Sequence, residues 1–155
     1  MALDEIAEIR INRSADEVAA YMFDPANDPA WIGGISEAEP LGAMPLTTGS
    51  RVRRRASFLG RRIDYVMEIV ALEAGRRLAM HAVEAPMPMD VTYEVEPVSD
   101  GAVARVRVQG AAGGLYRLAA PLVSAQVGRS IDGDVRRLKE LLESKSRLGA
   151  PPAGS

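Results

Sequence analysis

The stretch Arg51-Val52-Arg53-Arg54-Arg55-Ala56-Ser57-Phe58 separates one arginine from its neighbours by parity. Val52, Ala56 and Phe58 share parity with Arg54, so on a strand Arg54 points inward while Arg51, Arg53 and Arg55 point outward. An unpaired buried guanidinium costs roughly several kcal/mol. Arg54 must therefore meet a carboxylate, or stand where a ligand anion or carbonyl can reach it. That makes it a candidate polar anchor for a ligand carboxylate, ketone or enolate. The competing reading is an arginine that snorkels from the strand end or is turned outward by a bulge.

Two phenols share that inner side. Ile63, Tyr65, Met67 and Ile69 form the inward set of one strand, and Met89, Val91, Tyr93 and Val95 that of another. Tyr65 and Tyr93 could orient or protonate a carbonyl in an apolar pocket. They could equally be core tyrosines bonded to backbone carbonyls. Trp31, in a short helical insert, reads either as a lid or wall or as a plug that fixes the insert to the sheet. Met22, Met67, Met80, Met87 and Met89 offer an adaptable lining, or plain core.

Other chemistry is narrowed by what is scarce. His81, the one histidine, shares parity with Arg77, Ala79 and Val83, on the outer side, and Asp90 falls opposite Val91 and Tyr93. No Ser–His–Asp arrangement follows from one outward histidine. With no cysteine, thiol nucleophiles, iron–sulfur clusters and cysteine-ligated zinc are excluded, and a multi-histidine metal site is excluded too. No cofactor is implied.

Arg51, Arg53, Arg54, Arg55, Arg61 and Arg62 make a basic run without an acid. It could meet phosphates or an anionic membrane. Asp64, Glu68, Glu94 and Glu96 are placed for cross-strand pairing, however, which favours a solvated face. Gly110, Gly113 and Gly114 lack the Lys-Ser/Thr partner of a phosphate loop. The formal net charge of −2 also argues against nucleic acid as a partner.

These side chains need elements to hold them. Met1–Asn12 alternates as a half-buried strand. Ser14-Ala15-Asp16-Glu17 is a capping box that starts a helix carrying Val18, Ala19 and Met22 and ending near Asp24-Pro25. Asp28-Pro29 offers a second helix start, with Asp28 as cap, and Gly33-Gly34 its end. From Ser36 to Gln109, strands and tight turns alternate, at Leu59-Gly60-Arg61, Glu73-Ala74-Gly75-Arg76 and Ser99-Asp100-Gly101. They predict an antiparallel meander of about six strands. Leu115, Leu118, Leu122, Ile131, Val135, Leu138 and Leu142 then follow helical spacing to about Glu143. Pro121, Gly128 and Gly133 predict a kink or break in its first half, with Gln126 and Arg129 near a cavity mouth.

At 155 residues the chain fits one domain, over 1–145, followed by a Pro/Gly/Ala-rich tail over 146–155 that reads as disordered. No apolar stretch approaches the ~18 residues that span a bilayer, and Met1–Arg10 lacks a signal peptide's apolar run. A cytoplasmic location without stable membrane insertion is the expectation. Either a monomer or a homodimer is consistent with the sequence.

The chain resembles the START-like, helix-grip (SRPBCC) superfamily, of the polyketide cyclase/dehydrase and lipid-transport type. The residues that carry the resemblance are Ser14–Val18 after a strand, Asp24-Pro25-Ala26-Asn27 leading to Trp31, Gly49–Val52 opening a strand, and a terminal helix ending Asp134–Lys139. It spans roughly residues 3 to 143. It implies an α+β fold in which a curved antiparallel sheet of about seven strands wraps a long C-terminal helix, with two short helices after strand 1. The resemblance further implies a hydrophobic cavity and, for its members, lipid, sterol, polyketide or hormone binding, with aromatase or cyclase activity in some.

Three functions fit. The first is binding of a lipid- or polyketide-like small molecule between sheet and C-terminal helix. Its lining would come from Trp31, Arg54, Phe58, Tyr65, Met67, Met80, Met89, Val91, Tyr93, Leu118 and Leu122. The second is a polyketide aromatase/cyclase or dehydratase using the same cavity. The third is a protein-interaction module with a filled core. A cavity above ~300 Å³ would favour the first two.

Overall fold

The computed structural model describes residues 2–58, 60–85, 88–111 and 120–149. Strand β1 (Ala2–Ile11) is followed by helix α1 (Ala15–Met22), a 3-10 turn (Pro25–Asn27) and the short helix α2 (Asp28–Trp31). Then come β2 (Ile35–Pro40), β3 (Arg51–Phe58), β4 (Arg61–Glu73), β5 (Arg77–Glu84), β6 (Met89–Val98), β7 (Gly101–Ala111) and helix α3 (Ala120–Gly149). The strands form one seven-stranded antiparallel sheet in the order β1-β7-β6-β5-β4-β3-β2. Two register shifts in the long β4, at Val66/Met67 and Ile69/Ala71, add the local bend that bulges give, and the sheet curls.

Local chemistry sets the element ends. Ser14 caps α1 by accepting from the Glu17 amide at 3.2 Å, but the Glu17 carboxylate returns to the Ser14 hydroxyl rather than to its backbone. Gly60 and Gly75, at φ 78° and 76°, supply the left-handed residues of their hairpins. Parity sorts most positions as expected, with Leu3, Ala7 and Ile11 buried on β1 and Tyr65, Met67 and Ile69 on β4. Val66 and Ala79, of the outward parity, are buried too, on the two strands whose pairing carries register shifts.

Helix α3 packs chiefly along β1, with lesser contacts to β7 and α2. Its buried stripe is Val123, Ile131, Val135, Leu138 and Leu142. Among the described residues α3 runs without interruption from Ala120, so no break falls at Pro121, Gly128 or Gly133, all carried within the helix. The stretch from Leu115 to Ala119 lies outside the described residues. The helix also continues past Glu143 to Gly149. No helix among the described residues is long and apolar enough to cross a membrane.

Because β1 and β2 are opposite edges of the sheet, the segment between them must cross its inner face. Helix α1 packs on β6 and β7, the 3-10 turn on β2, and α2 on β2 and α3. The inner face is thus shared: α3 covers the β1 side, and the α1–α2 insert covers the rest.

Candidate functional site

Beneath the insert, Arg54 does point inward, and it is 4% exposed. Strand β3 fixes that direction, and α2 supplies what meets it. Arg54 Nε and Nη2 donate to Asp28 Oδ2 at 3.1 and 2.8 Å, and Nη2 also donates to the Tyr93 hydroxyl at 3.0 Å. Asp28, 2% exposed, was expected to cap α2; instead it is the helix's first residue and turns its carboxylate into the core. The reason is tertiary. A buried guanidinium offers a carboxylate a stronger bond than a backbone amide at a four-residue helix does.

Electrostatics follow from burial and pairing. Burial raises the Asp28 pKa above the usual carboxylate value, against the opposing pull of Arg54. Arg54 is held firmly charged, because Asp28, Tyr93 and Tyr65 outweigh its desolvation. Burial likewise raises the Tyr93 phenol, so it stays protonated. Of the two expected readings, Tyr93 fits the phenol at a pocket: its hydroxyl accepts from Arg54 and it lines the cavity.

Aromatic contacts complete the cluster. Trp31 meets Tyr93 edge-on, with centroids 5.4 Å apart, and Phe23 stacks against it at 6.5 Å. The Trp31 indole Nε1 is buried with no hydrogen-bond partner among the described residues. A cavity of about 10 Å³ lies beside the cluster, enough for about one water. Its walls include Met22, Phe23 and Pro25 of the insert, Leu46 of the β2–β3 loop, and Arg54, Met80 and Tyr93 of the sheet, with Asp28 also lining it.

The cavity's volume is far below ~300 Å³. Its described walls come from the sheet, the insert and the β2–β3 loop, and no described α3 residue is among them. Of the sequence candidates, Arg54, Tyr93 and Met80 come together at the cavity. Trp31 packs behind Tyr93, and Tyr65 lies opposite Arg54 in the β3–β4 register. Met67 and Val91 are buried elsewhere in the core, and Met89 is half-buried. Leu122 is not lining: it is 61% exposed, because Val123, the next residue, carries the buried stripe. Phe58 closes β3, but its side chain, like Leu118 and Met87, lies outside the described residues. Gln126 bonds Ser130 within α3, and Arg129 is exposed.

Sequence reasoning missed Asp28, Phe23 and Leu46 as neighbours of Arg54. One signal was available for Asp28: an inward arginine requires a carboxylate, and Asp28 is a nearby acid in a segment rich in apolar residues.

A second set of bonds ties the insert to α3. The Gly33 amide donates to Asp134 Oδ1 at 3.0 Å, while Arg137 donates to Asp134 at 2.9 Å and to the Trp31 carbonyl at 3.1 Å. A Cβ at Gly33 would stand 2.5 Å from Arg137 Nη2, so a side chain there would have to push the guanidinium aside. Burial raises the Asp134 pKa, opposed by its bonds from Gly33 and Arg137.

The outer face has no such cluster. Arg51 pairs with Glu68, Arg55 with Glu37 and Asp64, Arg105 with Glu8, and Arg107 with Asp4. His81 lies 2.6 Å from Asp90, both exposed. The pairs of Glu68 and Asp64 with the basic run are those expected of that side.

A curled antiparallel sheet, a long C-terminal helix and a two-helix insert over one polar cluster define a helix-grip protein of the START-like kind. The chain belongs to the polyketide cyclase/dehydrase and lipid-transport family, whose model matches residues 7–143. No curated protein sequence matches the chain significantly. Among solved structures, TTHA0849 of Thermus thermophilus is similar over 92% of this chain and 99% of its own, at 15% identity and a TM-score of 0.79. A START superfamily protein from Mycobacterium smegmatis is similar over 92% and 98%, at 13% identity and a TM-score of 0.76. The Zhui aromatase/cyclase of a Streptomyces species is similar over 100% and 99%, at 17% identity and a TM-score of 0.74. At such identities the likeness concerns the fold.

Proposed function

We propose that this protein binds a hydrophobic small molecule, lipid- or polyketide-like, under the α1–α2 insert, with the Arg54–Asp28–Tyr93 cluster as its polar anchor. The observation that carries this reading is a charged, hydrogen-bonded cluster lining an otherwise apolar cavity. A core built for stability alone gains little from a buried ion pair, since well-packed apolar residues usually serve as well. Family membership supports the same reading. The small volume favours a filled core, so a ligand of ordinary size requires the insert to lift from the sheet.

Enzymatic cyclisation or dehydration in the same cavity is the second reading. It is supported by the fold likeness to an aromatase/cyclase and by a cationic donor beside a protonated phenol, which could stabilise an enolate and return a proton to it. The test is native mass spectrometry of the purified protein, followed by extraction and identification of any bound molecule. A stoichiometric lipid or polyketide is the expected result. If instead neither a co-purified molecule nor an added apolar dye is retained, the filled-core reading replaces both.

A further inference from the structure

Resting on the binding reading, we propose that the site selects a ligand whose buried polar group is an uncharged acceptor, a ketone or similar carbonyl, and discriminates against a carboxylate. The charge balance argues this first. Arg54 and Asp28 neutralise each other inside the protein, with Nε and Nη2 both committed to Asp28 Oδ2. An incoming carboxylate would add a second negative charge beside Asp28 against one cation. Burying a charge without its own partner is strongly unfavourable.

Donor supply argues it second. Tyr93 accepts from Arg54 with its oxygen and keeps its own hydroxyl hydrogen to give. Trp31 packs edge-on behind Tyr93 and is not among the residues lining the cavity, so the donor offered to a ligand is the Tyr93 hydroxyl. Such a cluster is electrically balanced and still has an O–H to give, which complements a neutral oxygen rather than an anionic one. Had Arg54 stood alone, the opposite preference would follow.

Trp31 is the chain's one tryptophan, so its fluorescence reports on this cluster. The experiment titrates the full chain at neutral pH with 2-tridecanone and, separately, with tridecanoate, below the micelle concentration of the acid. Direct binding by native mass spectrometry checks each titration. The ketone is expected to bind at least about tenfold more tightly than the acid. Asp28→Asn, which keeps the side chain's shape and removes its charge, is expected to shift that ratio at least about tenfold toward the acid.

Equal or tighter binding of tridecanoate by the natural chain overturns the proposal. So does a folded Asp28→Asn protein with an unchanged ratio. Should that variant fail to fold, the natural chain's ratio decides alone. Failure of both probes also overturns it. The binding reading itself then falls only if the neutral dye N-phenyl-1-naphthylamine is not taken up either, which separates the two claims.

Discussion

Arg54 and Arg55 are neighbours in the chain and identical in chemistry, yet they belong to different physical regimes. Arg54's side chain is 5% exposed and pairs with an Asp28 side chain that is 2% exposed. Arg55's is 44% exposed and shares two exposed carboxylates, Glu37 and Asp64. One step along a strand moves a guanidinium from the cavity wall to open water. Residue type is therefore a poor guide to function here, and parity a good one. The outer pairs are exchangeable, whereas the inner pair is locked to one geometry.

The sharpest way to break this contrast is to remove one inner partner. Arg54→Met leaves Asp28 buried without its cation and should cost about 3–5 kcal/mol, read by urea unfolding. A smaller loss follows when both partners go together. Arg54→Met/Asp28→Leu should lie closer to the natural stability than Arg54→Met does, because the uncompensated charge is gone. Stability equal to the single variant would show that packing, not charge, holds the site.

The third prediction concerns pH. The Asp28 pKa is raised in the folded chain, so the fold holds that proton more tightly than the unfolded chain does. Its contribution is complete below the ordinary carboxylate value of 3.8 and is lost as pH rises through the raised folded value. Asp28→Asn should remove that segment of the stability–pH curve, leaving the like-signed contribution of Asp134. Carboxyl-carbon NMR titration should place Asp28 above the ordinary carboxylate value of 3.8 and Asp4, paired with Arg107, below it. The smallest effect belongs to the outer face: Arg55→Ala should leave the urea midpoint almost unchanged, and raised salt should shrink even that difference.

The same contrast marks what the sequence could disclose. Period-two alternation and Gly- or Asp-bearing turns set out the seven-stranded sheet, and the parity of Val52, Ala56 and Phe58 turned Arg54 inward. Asp28 was opaque because Asp-Pro reads locally as a helix start, and its actual partner lies 26 residues away. Leu122 was misplaced for a related reason. The Leu-to-Leu spacing put Leu122 on the inward face, whereas the neighbouring Val123 is the buried residue. The insert's role over the cavity was hidden in topology. Only the strand order shows that the chain between β1 and β2 has to cross the sheet.

That strand order also bears on how the molecule is made. β1 is synthesised well before β7, the one described strand it pairs with, joining Ile11 to Ala102 and Ala2 to Ala111. At about 5–20 residues per second, ribosomes leave β1 without its sheet neighbour for several seconds while the meander is still being translated. Through that interval its apolar face, Leu3, Ala7 and Ile11, must be kept from other nascent chains. The charges interleaved along it, Asp4, Glu5, Glu8 and Arg10, are of the kind that lowers a strand's tendency to associate.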